Sequence, residues 1–218
     1  MYVHVPAHTA HANTLADKPT RSPTPTPTPA TVQVEYDIDF TGVPVGVNAN
    51  IYSISPSNIG GGFAQSDYCD GAGSAPWCVE VDWIESNGNC GGATTLHTKP
   101  GTGNDGCTAW GCRSNYHYGG KASFHMREEF GSDGTWTTKR DGQTISPSSL
   151  SPVPGGVDWS TLKGAYESHG AVVYSSQWVG WVPVDDCGGG GNLASAHFSV
   201  RNLRIYGAVV QGPTPQPC

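Results

Sequence analysis

The densest chemistry in the chain is Trp77-Cys-Val-Glu80-Val-Asp82-Trp-Ile-Glu85, three carboxylates within six residues of an otherwise apolar run. On a regular strand Glu80 and Asp82 point the same way, because side chains alternate with period two. Glu85, five residues from Glu80, would point the other way. One extra residue between Asp82 and Glu85, a β-bulge, restores the parity and puts all three on one surface. Like charges held that close are unfavourable unless something uses them. Retaining glycosidases use such a pair: one carboxylate attacks the anomeric carbon, and the other protonates the leaving oxygen from about 5–5.5 Å away. A middle Asp can hydrogen-bond the nucleophile and help keep the acid protonated. A solvated acidic edge or a calcium site built from carboxylates are the plainer readings of E-x-D-x-x-E. The apolar flanks Val79, Val81, Trp83 and Ile84 argue against an ordinary surface loop.

Whatever positions these groups is built of strands. Gly (30) and Pro (17) are abundant among the 218 residues, and only 13% are charged, which leaves little helix-forming material. Alternation in Val32-Gln-Val-Glu-Tyr-Asp-Ile-Asp-Phe40 would set Val32, Val34, Tyr36, Ile38 and Phe40 on one face. Further strands are expected at Asn48–Ile54, Trp77–Glu85, Thr94–Thr98, Ala122–Glu129, Trp136–Arg140, Ala171–Tyr174 and His197–Tyr206. Ser-Asp-Gly at 132–134 and Asp141-Gly142 are hairpin-turn signals. One short helix is expected near Asp158–Glu167. Many short strands with few helical stretches predict an all-β sandwich or jelly roll of two antiparallel sheets.

The ends read differently. Residues 1–21 are expected to be a disordered tail, in which His4, His8 and His11 are solvated rather than metal-bound. Alternating Pro and Thr in residues 22–30 form a semi-rigid linker. The domain is expected over 31–211, and 212–218 (GPTPQPC) is linker-like. Residues 1–20 show neither the basic region nor the apolar region of a secretory signal. Seven cysteines nevertheless point to an oxidising compartment. Cys69, Cys78, Cys90, Cys107, Cys112 and Cys187 read as up to three disulfides, with Cys218 a spare outside the domain. Cys107-x4-Cys112-x4-His117 matches zinc spacings only loosely and no C-x-x-C occurs, so no metal and no cofactor is expected. A net charge of −7 without a basic patch gives no support to nucleic-acid binding. No apolar run reaches the ~18 residues of a membrane-spanning helix.

The carboxylate segment resembles the E-x-D-x-x-E signature shared by glycoside hydrolase families 7 and 16. Family 7, the cellobiohydrolases and endoglucanases, fits better because more segments match in order. Val43-Pro-Val-Gly-Val-Asn48-Ala-Asn-Ile-Tyr52 is similar to its L-P-C-G-L-N-G-A-L-Y strand. Tyr68-Cys-Asp70, Thr95-Leu-His97, Gly111-Cys-Arg-Ser-Asn-Tyr116, Ser176-Gln-Trp178 and Phe198–Ile205 resemble its Y-C-D, T-P-H, G-C-D-x-N-P-Y, S-L-W and F-S-N-I-K-F segments. The resemblance covers roughly 40–210, as short islands. It implies a concanavalin A-like jelly roll, with Glu80 as nucleophile, Asp82 as its helper and Glu85 as general acid/base. Asn48 and Tyr52 would contact sugar near the cleavage point, His97 would lie on the leaving-group side, and Trp178 would be a stacking platform. Trp181, three residues on, is a further exposed aromatic candidate. Val45 and Trp77 stand where the family has cysteines, and the chain is about half the usual length.

The expected protein is therefore a secreted or cell-wall monomer that hydrolyses a β-linked glucan, cellulose or mixed-linkage, with retention and in an open cleft. The alternative on the same fold is a non-catalytic glycan-binding or cell-wall structural protein. A family 16-like β-1,3-glucanase is a third reading.

Overall fold

The computed structural model describes residues 2–3, 32–56, 69, 77–100, 111–131, 136–145 and 171–206. Among these residues eleven strands form two antiparallel sheets. The first has the order β1 (Tyr2–Val3), β10 (Ala171–Trp178), β3 (Asn48–Pro56), β4 (Trp77–Asn87), β5 (Gly91–Pro100), β6 (Cys112–His117). The second has the order β11 (Ser199–Tyr206), β2 (Val32–Asp39), β7 (Ser123–Phe130), β8 (Trp136–Arg140), β9 (Gln143–Thr144). Two short 3₁₀ turns, Asp185–Cys187 and Leu193–Ser195, interrupt the connection between β10 and β11. The expected all-β sandwich of two antiparallel sheets is what forms. Among the described residues no helix is long and apolar enough to cross a membrane.

Alternation builds the core. Val34, Tyr36, Ile38 and Phe40 are buried in turn along β2 and just after it. They meet Ile51, Val79, Val81, Trp83, Ile84 and Leu96 from the first sheet in one apolar cluster, joined by Phe124, Met126 and Trp136. Trp83 lies 5.6 Å from the Tyr36 ring and donates its indole N–H to Ser53 Oγ at 3.0 Å. A large aromatic placed there is both a packing element and a satisfied donor.

Each expected strand is present, with ends shifted by a few residues. β6 and β9 were not foreseen, nor was the pairing of Tyr2 and Val3 with Val172 and Ala171, which lies inside the segment read as a tail. The Asp141-Gly142 turn joins β8 to β9 with positive φ at both residues (48° and 82°), as a tight hairpin of this hand needs. The 132–134 turn, the helix near 158–167, the Pro/Thr linker, Cys107 and Cys218 lie outside the described residues. Cys90 and Cys187 form a disulfide, and Cys69 and Cys112 are disulfide-bonded too. The loose zinc spacing therefore loses Cys112 to a disulfide. His117 instead pairs with Asp186 at 3.2 Å, beside the Cys90–Cys187 bridge.

Candidate active site

The strand carrying the carboxylates lies at the middle of the first sheet, flanked by β3 and β5. Its register against β5 shifts between Asp82 and Glu85, and its register against β3 shifts opposite the same residues. This is the bulge the parity argument requires. Trp83 and Ile84 both enter the core cluster at the bulge, so the apolar side gains two anchors where a regular strand would offer one. The acidic side keeps Glu80, Asp82 and Glu85 together. Glu80 stands opposite Ile54 and His97, Asp82 opposite Tyr52 and Thr95, and Glu85 opposite Asn50 and Ala93.

Each carboxylate has a different set of partners. Glu80 Oε2 accepts the Cys69 backbone N–H at 3.0 Å. Asp82 Oδ2 is 2.9 Å from His97 Nε2. Glu85 accepts from Asn48 Nδ2 at 3.2 Å and from the Thr95 hydroxyl at 3.3 Å. Burial, with the Asp82 charge adding to it, pushes the Glu85 carboxyl up from the ordinary range to about 8. His97 and Arg113 oppose that shift without cancelling it. All three carboxylates keep a small exposure, 5–6%, so they are recessed without being sealed.

The residues named from sequence fall into two groups. Asn48, Tyr52 and His97 join the carboxylates. Asn48 touches Glu85, His97 touches Asp82, and Tyr52 stands beside Asp82 with its ring stacked 5.5 Å from that of Tyr174. Trp178 and Trp181 stand to one side. Trp178 is half-buried opposite Asn48 and donates its indole N–H to the Trp181 carbonyl at 3.3 Å. Trp181 is 41% exposed. Of the other tryptophans, Trp83 and Trp136 are core.

Several positions escaped the sequence reading. Thr95 and Asn50 hold the site from either side: Asn50 donates to Asn48 and accepts from the Ser176 hydroxyl at 3.0 Å. Gly111 has φ of 88° and packs directly behind His97. A Cβ there would come within 2.6 Å of His97 Nδ1, so only glycine lets the imidazole reach Asp82. Arg113 lies over the Trp181 ring, 4.4 Å from its centroid. The short motif around Gly111 carried a hint of this region, but no periodicity placed Arg113 near Glu85. His125, unassigned from sequence, pairs with Asp37 on the second sheet, away from the carboxylates.

No protein-family profile matches the chain, and no curated protein does. Among solved structures, an endoglucanase I complexed with cellobiose is similar at 15% identity and a TM-score of 0.49, covering 82% of this chain and 68% of that one. The Humicola insolens endocellulase EGI is similar at 16% identity and a TM-score of 0.45, covering 80% and 67%. A pseudo β-1,3-glucanase of Mycobacterium tuberculosis follows at 17% identity and a TM-score of 0.42, covering 83% and 65%.

Proposed function

We propose that the protein is a retaining glycoside hydrolase acting on a β-linked glucan, with Glu80 as nucleophile and Glu85 as general acid/base. One observation carries the reading. A single bulge gathers three recessed carboxylates on one face, and burial raises one of them, Glu85, to about 8. Glu85, held near 8 by burial, keeps its proton at neutral pH and can donate it to a departing sugar oxygen. Glu80, whose oxygen accepts the Cys69 backbone N–H, is the carboxylate that attacks the anomeric carbon in this reading. Attack forms a glycosyl-enzyme and expels the leaving alcohol, which takes the Glu85 proton. Glu85, now ionised, removes a proton from water as that water attacks, releasing the sugar and restoring both groups.

Asp82 and His97 steady the pair. The Asp82 charge is what adds to burial in keeping Glu85 protonated, and His97 holds Asp82 in place. Asn48 and Thr95 fix the Glu85 carboxyl plane through its two oxygens. Trp178 and Trp181 offer aromatic surface to sugar rings, whose C–H faces are apolar, while the buried Tyr52 stands beside Asp82 and stacks on Tyr174. Secretion or a cell-wall location and a monomeric state complete the proposal.

The test is turnover on a panel of soluble β-glucans by the full chain and by Glu80→Gln. The expected result is hydrolysis by the unaltered protein with retained anomeric configuration, and none by a Glu80→Gln protein that melts at a similar temperature. Equal turnover by the two overturns the assignment. Binding to glucan with no release of reducing sugar, even at high protein load, favours the non-catalytic glycan-binding reading instead.

A further inference from the structure

Among the described residues Arg113 forms no ion pair with a carboxylate, although its charge reaches the buried Glu85 carboxyl. It stands on β6 in a row running across four strands, Tyr52–Asp82–Thr95–Arg113. Two strand spacings, about 10 Å, separate it from β4, a span an oligosaccharide covers. Its Nε is buried and has no hydrogen-bond partner, and no ion pair reaches its guanidinium among the described residues. Arg127 on the second sheet, whose buried Nε likewise has no hydrogen-bond partner, differs in its ion pairs, lying 2.8 Å from Glu129 and 3.9 Å from Glu35. The contact Arg113 does make is with the face of Trp181.

A guanidinium stripped of part of its hydration and left without a counter-ion is unfavourable. Stacking on an indole returns only part of that loss. The remaining demand is for an anion, and the planar fork of Arg suits a carboxylate or sulfate group well. The nearby carboxyls do not supply one. Asp82 is engaged by His97, and Glu85 keeps its proton at neutral pH. Trp181 brings an exposed aromatic plane to the same place, so a ring and its anionic substituent would be met side by side.

We propose that Arg113, with Trp181, makes the cleft select an acidic glycan, one whose sugar bears a carboxylate or sulfate substituent where the chain passes over β6. This inference rests on reading the face as a glycan cleft, though not on its being catalytic. The Glu80→Gln full-length protein is titrated by calorimetry with a neutral β-1,4-gluco-oligosaccharide, the matching oligoglucuronate and a sulfated gluco-oligosaccharide. At least one acidic ligand binds about tenfold or more tighter than the neutral one, the scale of a charge-assisted hydrogen bond. Added salt narrows the gap. Which acidic ligand gains more separates uronate from sulfate.

Arg113→Gln abolishes the preference, and Arg113→Lys, which keeps the charge but not the fork, retains part of it. Equal affinity for neutral and acidic ligands overturns the proposal. So does binding of none of them, or an Arg113→Gln effect of the same size on all three. Turnover by the unaltered protein is measured in parallel. Selective acidic binding without turnover would sink the hydrolase assignment and leave this one standing, while turnover with no acidic preference does the reverse.

Discussion

Two glutamates in this molecule share one physical abnormality and differ in everything around it. Glu85 on β4 and Glu128 on β7 are each pushed to about 8, in both cases chiefly by burial. Glu128 is wholly inside, at 0% exposure, and its oxygens are filled by three donors: the Tyr36 hydroxyl at 3.1 Å, the Trp136 indole N–H at 2.9 Å and the Thr138 hydroxyl. Glu85 has the Asn48 and Thr95 donors, an acidic neighbour in Asp82, and a path to solvent. A displaced pKa therefore marks burial first. Chemistry needs, in addition, a second carboxylate on the same face and room for a reactant. Glu128 has neither and is best understood as the polar knot that fixes Tyr36, Trp136 and Thr138 in the core.

The sharpest way to break this contrast is to replace each carboxyl by its amide. Glu85→Gln should lower turnover of an unactivated β-glucan by roughly 10²–10⁴-fold, the range for a lost general acid. Glu128→Gln, assayed well below its melting temperature, should leave turnover near that of the parent. A large loss in the second variant would erase the distinction.

Leucine substitutions should reverse the ranking. Glu128→Leu leaves the hydroxyls of Tyr36 and Thr138 and the Trp136 N–H unpaired in the core, and should cost about 2–4 kcal/mol in denaturant unfolding. Glu85→Leu removes a desolvated carboxyl beside Asp82 and should cost much less, or even stabilise the protein, as active-site groups held at the expense of stability commonly do.

pH gives a subtler signature. For both glutamates the folded protein holds its proton from the unfolded pKa, near 4.5, up to about 8, while the unfolded chain has lost it. Their stabilising effect is thus complete below about 4.5 and disappears as pH rises to 8. Each contributes a fall of at most about 1.4 kcal/mol per pH unit in that window. Unfolding measured across pH 5–8 should be less steep in either amide variant, yet only Glu85 should also set an alkaline limb in the activity profile near 8. A slope unchanged in both variants would show that neither group binds its proton as the structure indicates. The smallest effect is expected at Gly111→Ala, about 1 kcal/mol from the φ of 88°, with turnover falling more than stability because His97 is displaced from Asp82.

The two regions were not equally legible in the sequence. β4 announced itself because its acids interrupt an apolar run at a spacing only a bulge can reconcile. Glu128 sits in Arg127-Glu-Glu129, where three consecutive charges look like surface. Its clue was the inward alternation Phe124, Met126, Glu128, which assigns a core position to a charged side chain. β6 was missed because Arg113, Asn115 and His117 are polar on the site face, while Cys112, Ser114 and Tyr116 supply no apolar stripe opposite them. Asn87 gave no local signal at all: its side chain accepts from Gly46 N–H and donates to the Val184 and Gly188 carbonyls, contacts that exist only after three distant segments have met.

The Cys90–Cys187 bridge sits immediately before the run Gly188–Gly191, and that order has a practical consequence. A protease cutting among those glycines would leave Cys187 with the upstream piece, still fastened next to the end of β4. Every candidate residue from Asn48 to Trp181 would stay on that piece, all but Trp181 in strands of one sheet. The downstream piece would carry β11, which among the described residues is an edge strand of the other sheet, faces mostly outward and pairs only with β2. Such a cut would separate the part that carries the candidate residues from a strand that could be exchanged, tagged or supplied in trans.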